Sequence, residues 1–240
     1  MTLQICFFQT PPKPFMDSTR ITLIRHGETD WNVQARIQGH LDIALNSLGL
    51  WQATQLGLAL QHETLSCVYS SDLKRAHETA HLLASNHHTP LNHRVEAGLR
   101  ERHFGDFEGL TWVELEELHP AQAQAWRSRD PEWSPPSGES LNQFKARIQR
   151  CVEDLAARHL NEHIAIVTHG GVLDVLYRWS TGQESQAPRT WALGNAHINR
   201  LLWSSEGLHL VGWGDKAHLE REGVDGGAGP PLGQDYPVAN

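Results

Sequence analysis

The chain has 240 residues, of which 39% are hydrophobic and 20% are charged, and its mean hydropathy is -0.46. These values are typical of one globular α/β domain or at most two small domains, and no apolar run approaches the roughly 18 residues of a membrane-spanning helix. Asp and Glu number 28 against 20 Lys and Arg, and the net charge of -8 argues against a surface built to hold nucleic acid. An anionic ligand would need a local group of cations.

The three cysteines lie far apart and form no C-x-x-C pair, which argues against a disulfide framework and against a thiolate zinc site. This cysteine usage favours a cytoplasmic protein. The N-terminal segment lacks the features of a secretory signal, and Met16 is an alternative start. We predict a disordered extension at 1–19, a single domain at 20–220 and a disordered, glycine-rich and proline-rich tail at 221–240.

The hydrophobic pattern predicts strands that alternate with helices. In the first half of the domain these elements are strand 21–24, helix 47–62, strand 65–70 and helix 73–85, the last one capped by Ser71 or Asp72. In the second half they are helices that begin near 112 and 141 at capping boxes on Thr111 and Ser140, strand 164–168, a helix near Val172, and a hairpin of 198–203 and 208–213. The alternation predicts an α/β fold of three αβα layers, with a central, mostly parallel sheet and a C-terminal hairpin.

Three of the predicted strands end in residues that suit a phosphate. Arg25, His26 and a glycine follow the first strand, Arg75 lies just beyond the second, and His169 precedes two glycines after the third. Ligands of such sheets bind outside the carboxyl ends of the strands, so we expect these side chains to form one pocket. Two arginines would hold phosphate oxygens and keep the imidazole of His26 neutral and nucleophilic. The pattern predicts phosphoryl transfer through a phosphohistidine, without a metal ion or cofactor.

Further motifs accompany these strand ends, in the order LIRHGETDWN (23–32), RIQGHLDIALNSLG (36–49), SSDLKRAHETA (70–80), LRERHFGDFEG (99–109), GES (138–140) and VTHGG (167–171). In this set, which covers most of 20–215, the chain resembles the histidine phosphatase superfamily, in the branch of the cofactor-dependent phosphoglycerate mutases and small bacterial phosphatases. The resemblance implies that His26 is the phosphorylated nucleophile and that Glu101 is the general acid and base. It also implies a set of residues around the phosphoryl group and the substrate, namely Arg25, Asn32, Gln38, Gly39, Arg75, His169 and Gly170.

A competing motif lies on the helix that presents Arg75. The sequence HETAH at 77–81 matches the helical zinc-protease motif, in which His77 and His81 bind the metal, and His87 falls where a longer form of that motif has its third ligand. However, Ala84 stands where the longer form needs glycine, and both methionines precede the motif, so a Met-turn is impossible. A zinc hydrolase is therefore a remote alternative.

Hydrolysis and mutase transfer share the proposed chemistry, so other residues must separate the two activities. Arg127 and Arg129 are the only Arg or Lys residues between His103 and Ser140, whereas mutases of the family carry a long insert with extra cations there. Gln38 is typical of the small phosphatases. We expect a phosphomonoesterase whose substrate is a small phosphorylated metabolite, with a phosphoglycerate mutase as the alternative.

The same segment carries Trp112, Trp126 and Trp133, which either cover the pocket or belong to the core. A binding module that has lost turnover is a further alternative outside catalysis. The sequence predicts neither the physiological substrate nor the oligomeric state, and no nucleic-acid or membrane partner is expected.

Overall fold

The computed structural model describes residues 17–220, and the rest of the two predicted terminal extensions lies outside the described residues. The strands are β1 (Ser18–Arg25), β2 (Cys67–Ser70), β3 (His93–Val95), β4 (His163–Thr168), β5 (Ile198–Ser204) and β6 (Gly207–Asp215). The α-helices are α1 (Asp30–Val33), α2 (Ser47–Leu60), α3 (Lys74–Ser85), α4 (Trp112–Leu118), α5 (Pro120–Arg127), α6 (Leu141–Ala157) and α7 (Gly170–Thr181). Ser18 and Thr19, which the sequence assigned to the extension, already belong to β1.

The strands form one sheet in the order β3-β2-β4-β1-β5-β6. The first four strands of this order are parallel, and β5 and β6 continue the sheet as an antiparallel hairpin beside β1. This topology confirms the predicted mostly parallel sheet with a C-terminal hairpin. It places the carboxyl ends of β1, β2 and β4 together at one edge.

Alternating side chains of the strands face two separate cores, which fixes the layers above and below the sheet. On one face, Ile21 and Leu23 of β1 pack with apolar residues of α6 and α7. On the other face, Ile24 packs with apolar residues of α2 and α3. A third, smaller cluster joins α4 and α5 through Phe107, Leu115, Ala123 and Trp126. The helices thus cover both faces, as the sequence predicts.

Two of the three predicted helix N-caps are confirmed and the third is wrong. Thr111 and Ser140 form the predicted capping boxes of α4 and α6. The cap predicted for α3 is wrong, because the N-cap residue is Leu73, and Oδ1 of Asp42 accepts from the backbone N–H of Lys74 at 2.7 Å instead. Asp72 instead accepts a hydrogen bond from Nε of Arg100 at 2.7 Å, which commits its carboxylate elsewhere. Within the described residues, no helix has the length and apolarity needed to cross a membrane.

Candidate active site

The predicted convergence of the strand ends is present in the structure. Arg25 is the register partner of Thr168, because β1 and β4 are neighbours. The backbone N–H of His26 donates to the carbonyl oxygen of Thr168 at 2.9 Å. The rings of His26 and His169 lie 5.3 Å apart between centroids. The parallel pairing therefore brings the two histidines into one site.

His26 is 3% exposed, and its Nδ1 lies 2.7 Å from the carbonyl oxygen of Gly27. A carbonyl oxygen only accepts, so Nδ1 carries the proton and Nε2 carries the lone pair. Burial, and then the charges of Arg75 and Arg25, lower the pKa of His26 well below 6.5. The result is a neutral imidazole whose Nε2 is a nucleophile.

Arg75 lies at the first turn of α3 and is 1% exposed. Its guanidinium donates to the carbonyl oxygens of Leu41 at 2.9 Å and of Gly39 at 2.8 Å. Gly39 has a φ of 48°, which favours glycine, and a Cβ there would clash with Glu108. Burial lowers the pKa of Arg75 to about 10, so the group stays positively charged at neutral pH. Arg25, the second cation, donates from Nη1 to the carbonyl oxygen of Leu193.

His169 is fully buried at the N-cap position of α7. Neither of its ring nitrogens has a hydrogen-bond partner among residues 17–220. Burial and the nearby Arg75 lower its pKa well below 6.5. Buried polar atoms without partners are costly, and they are common where a ligand supplies the missing bond. A phosphoryl oxygen beside His26 would do so.

Glu101 is fixed against the start of α7. Its Oε1 accepts from the backbone N–H of Arg102 at 2.8 Å, and its Oε2 accepts from that of Gly171 at 2.9 Å. The backbone carbonyl oxygen of Glu101 accepts from Nη2 of Arg147 at 3.1 Å. Arg147 also donates to both oxygens of Glu139 at 2.8 Å. These bonds set the position of the carboxylate and of the backbone that carries it.

A cavity of about 390 Å³ brings together most of the predicted site residues, namely Arg25, His26, Asn32, Gln38, Gly39, Arg75 and Glu101. His169 and Gly170 lie beside this set and do not line the cavity, which Gly171 does. Trp112 and Trp126 line the cavity and also belong to the small aromatic cluster, so both interpretations of these tryptophans hold. Trp133 belongs to the cluster alone.

Gln38 is 9% exposed, and its Oε1 has no hydrogen-bond partner among the described residues. Asn32 has its side-chain oxygen committed to the backbone N–H of Thr29 at 3.0 Å, in the capping box of α1. Gln38 can therefore accept a hydrogen bond from a bound molecule, and Asn32 offers its amide N–H₂ group.

The sequence reading missed the segment that follows α7. Arg189, Leu193, Asn195 and His197 line the cavity, and Nδ2 of Asn195 donates to the carbonyl oxygen of His26 at 2.8 Å. The sequence predicts the hairpin but not its neighbour in the sheet, and in the structure β5 pairs antiparallel with β1. The amino end of β5 therefore lies at the same edge as the carboxyl ends of the parallel strands.

The histidines of the competing zinc motif are not gathered into a metal site. The ring of His77 lies 4.8 Å from that of His93, and Nε2 of His87 donates to the carbonyl oxygen of Glu63 at 2.8 Å. Over residues 17–220, no group of three or more His, Cys, Asp or Glu residues has a geometry that could hold a metal ion.

Comparison with known proteins gives a consistent result. Residues 21–216 match the family model described as histidine phosphatase superfamily (branch 1). The metal-independent phosphoserine phosphatase of Arabidopsis thaliana is 38% identical over 219 residues, which cover 88% of this chain and 90% of that protein. The phosphoglycerate mutase-like protein 4 of Arabidopsis thaliana is 37% identical over 211 residues, which cover 87% and 90%. A phosphoserine phosphatase from Entamoeba histolytica, solved in complex with 3-phosphoglyceric acid, is 27% identical with a TM-score of 0.75, and the match covers 84% of this chain and 100% of that chain.

Proposed function

We propose that this chain, which belongs to the histidine phosphatase superfamily (branch 1) and is a phosphoric monoester hydrolase, acts on a small phosphorylated metabolite through a phosphohistidine on His26. The observation that carries the proposal is the state of His26. Its Nδ1 proton is committed to a backbone carbonyl, and a buried, cationic surrounding lowers its pKa. Both features favour attack by Nε2 on a phosphorus atom.

In the first step, the Nε2 lone pair of His26 forms a bond to phosphorus, and the bond from phosphorus to the substrate oxygen breaks. Arg25 and Arg75 neutralise the charge on the non-bridging oxygens, and His169 donates a further hydrogen bond to one of them. Protonated Glu101 gives its proton to the departing oxygen, which would otherwise leave as a poor alkoxide.

In the second step, the carboxylate of Glu101 accepts a proton from water as the water oxygen attacks phosphorus. The bond from phosphorus to Nε2 breaks, the imidazole of His26 is restored, and inorganic phosphate leaves. Glu101 ends the cycle protonated, ready for the next substrate. The same carboxyl group thus serves both steps, which requires the fixed position that the N–H groups of Arg102 and Gly171 provide.

Two arginines supply the positive charge that metal ions supply in other phosphoryl-transfer enzymes, which supports a metal-independent reaction. The name of the Arabidopsis phosphoserine phosphatase supports the same proposal. Phosphoserine and 3-phosphoglycerate are the first substrates to test, because they occur in the names of similar proteins. Transfer to a second substrate hydroxyl, as in a mutase, is the alternative that these compounds also test.

The test uses the purified full chain with an aryl phosphate between pH 5 and 8, with and without excess EDTA. We compare wild type with His26→Ala and with His209→Ala, because His209 is an exposed histidine on β6, outside the cavity. We expect EDTA-resistant turnover and an acid-labile phosphoenzyme in wild type and His209→Ala, and neither in His26→Ala. Equal rates in wild type and His26→Ala would refute the mechanism.

Two further outcomes separate the alternatives. Loss of activity in EDTA with recovery on addition of zinc would support the zinc hydrolase. A phosphoenzyme that passes its phosphoryl group to 3-phosphoglycerate faster than to water would support the mutase. Since the pKa of His26 is lowered well below 6.5, we expect no protonation of this imidazole, and no loss of rate from it, between pH 8 and 6.5.

A further inference from the structure

The cavity around His26 is lined by cations beyond the two arginines assigned to the phosphoryl oxygens. Arginine and lysine contribute five side chains to its lining and glutamate contributes three, in a chain with a net charge of -8. Two of the five cations are the arginines assigned to the phosphoryl oxygens, and Arg36 forms an ion pair with Glu114 at 2.9 Å. Arg189 and Lys216 remain.

Arg189 is half-buried, and within residues 17–220 its guanidinium has no hydrogen bond and no ion pair. It stands four positions before Leu193, whose carbonyl oxygen accepts from Arg25. Four residues of extended chain span at most about 14 Å. Ala192, Leu193 and Asn195 line the cavity between the two arginines, so one continuous wall joins Arg189 to the phosphoryl site.

Among residues 17–220, no carboxylate forms an ion pair with Arg189, and the nearby carboxylate of Asp174 is bonded to other arginines. Asp174 is shared by Arg178, at 2.9 Å, and Arg129, at 3.6 Å. Burial lowers the pKa of Arg129, and the charges of Arg178 and Arg189 lower it further, which places Arg189 close to this group. Arg129 therefore has two cationic neighbours, Arg178 and Arg189, and of these three arginines only Arg189 lines the cavity. A half-buried guanidinium in such a position is stabilised by an anion from outside.

We propose that Arg189 binds a carboxylate on the leaving group, so that the substrate class is that of small phosphomonoesters with a carboxylate. This inference rests on the proposed function and deepens it. The planar guanidinium matches a carboxylate with two parallel hydrogen bonds, and one such pair balances one charge. Lys216 is exposed, and its hydrated ammonium adds long-range attraction without that geometry. The volume of about 390 Å³ suits a small molecule.

The test compares substrates that differ in the carboxylate alone or nearly so. One pair is phosphoserine with phosphoethanolamine, and the other is 3-phosphoglycerate with glycerol 3-phosphate. We expect the kcat/KM of wild type to favour the carboxylate in each pair by roughly 10- to 100-fold, as for a hydrogen bond between charged groups. Arg189→Gln should reduce this preference to about 1, and Arg189→Lys should keep part of it, since lysine retains the charge without the fork.

Arg150→Gln is the matched control, because Arg150 is an exposed arginine of α6 outside this cavity. It removes the same charge and should leave the preference unchanged. A wild-type preference below about twofold in both pairs, with turnover of an aryl phosphate intact, would overturn the subsite and leave the proposed function standing. A preference that survives Arg189→Gln would overturn the role of this residue. Failure to hydrolyse any phosphomonoester would instead count against the proposed function.

Discussion

Gly171→Ala should abolish most of the activity while changing stability little. A Cβ at Gly171 would lie 2.2 Å from Oε1 of Glu101, closer than any real Cβ contact, and 3.2 Å from Cε1 of Phe144. The carboxylate ends a flexible side chain, so it can swing away without a change in the backbone. By moving, it loses its hydrogen bond to the N–H of residue 171, which is 2.9 Å long in the wild type.

The two effects of this substitution differ in size. Loss of a hydrogen bond to a charged group costs about 1.5–3 kcal/mol, and alanine in place of glycine in the first turn of a helix returns about 0.5–1 kcal/mol. We therefore expect the free energy of unfolding to fall by about 1 kcal/mol or slightly more. Removal of a positioned general acid and base lowers kcat by roughly 10²- to 10⁴-fold.

Steady-state kinetics and urea unfolding measure the two effects on the same preparation. The kcat of Gly170→Ala should stay at least about tenfold above that of Gly171→Ala. A Cβ at Gly170 would lie 3.5 Å from Nε of Arg25, which is an ordinary contact. Gly212→Ala is the control for the substitution itself, since a Cβ there meets nothing within 4 Å. In a Glu101→Gln background, Gly171→Ala should cause almost no further decrease in kcat. Multiplicative losses in that double variant, or full activity of Gly171→Ala, would refute the role of Glu101.

Three further variants follow from single contacts. Arg147→Gln removes donors to the backbone on both sides of Glu101 and should lower kcat by roughly 10- to 100-fold while Arg150→Gln does not, as steady-state assays would measure. His169→Asn should make the free energy of unfolding less sensitive to acid. Because the pKa of His169 is lowered in the folded protein, the unfolded chain binds a proton below pH 6.5 that the folded protein does not. Wild type should therefore lose about 1 kcal/mol more than the variant between pH 6.5 and 5.5, as urea titrations would measure. Thr79→Val removes the acceptor of the backbone N–H of Gly27 and should lower the free energy of unfolding by about 1–3 kcal/mol. Thr54→Val is the control and should cause no comparable change, because the hydroxyl of the half-buried Thr54 makes only a solvent-exposed hydrogen bond within α2.

The parts of the fold that the sequence predicts are those with a strong local pattern. Strand β4 is buried along its whole length and α6 carries a regular apolar stripe, so their predicted bounds are nearly right, whereas only the apolar centre of β1 was predicted. Strand β3 has three half-buried or exposed residues and exists only through its pairing with β2, so no local pattern marks it. Helix α5 buries only Ala123 and Trp126, which gives too weak a period to predict.

The site was predictable to the extent that its residues follow parallel strands. His26, Arg75 and His169 lie at carboxyl ends that the parallel topology brings to one edge. Arg147 was not predictable, because its contacts to the backbone near Glu101 join segments that are separated by 46 to 49 residues. The wall of the cavity that includes Arg189 depends on how the segment before β5 returns to the site. No spacing of residues in the sequence predicts the course of this segment.

The same cluster of charged and polar groups makes this site costly to fold and would bind phosphate under the proposed function. Arg75 and two neutral histidines are buried beside the half-buried Arg25. Burial lowers the pKa of these three buried groups and leaves the His169 nitrogens without partners among the described residues. A dianionic group between them would relieve these costs, since it balances the cations and supplies an acceptor oxygen to His169. The remainder of the chain is acidic overall and repels anions at long range. Binding therefore depends on this local cluster. Substitutions that neutralise one of its cations should stabilise the free protein and weaken its binding of phosphate.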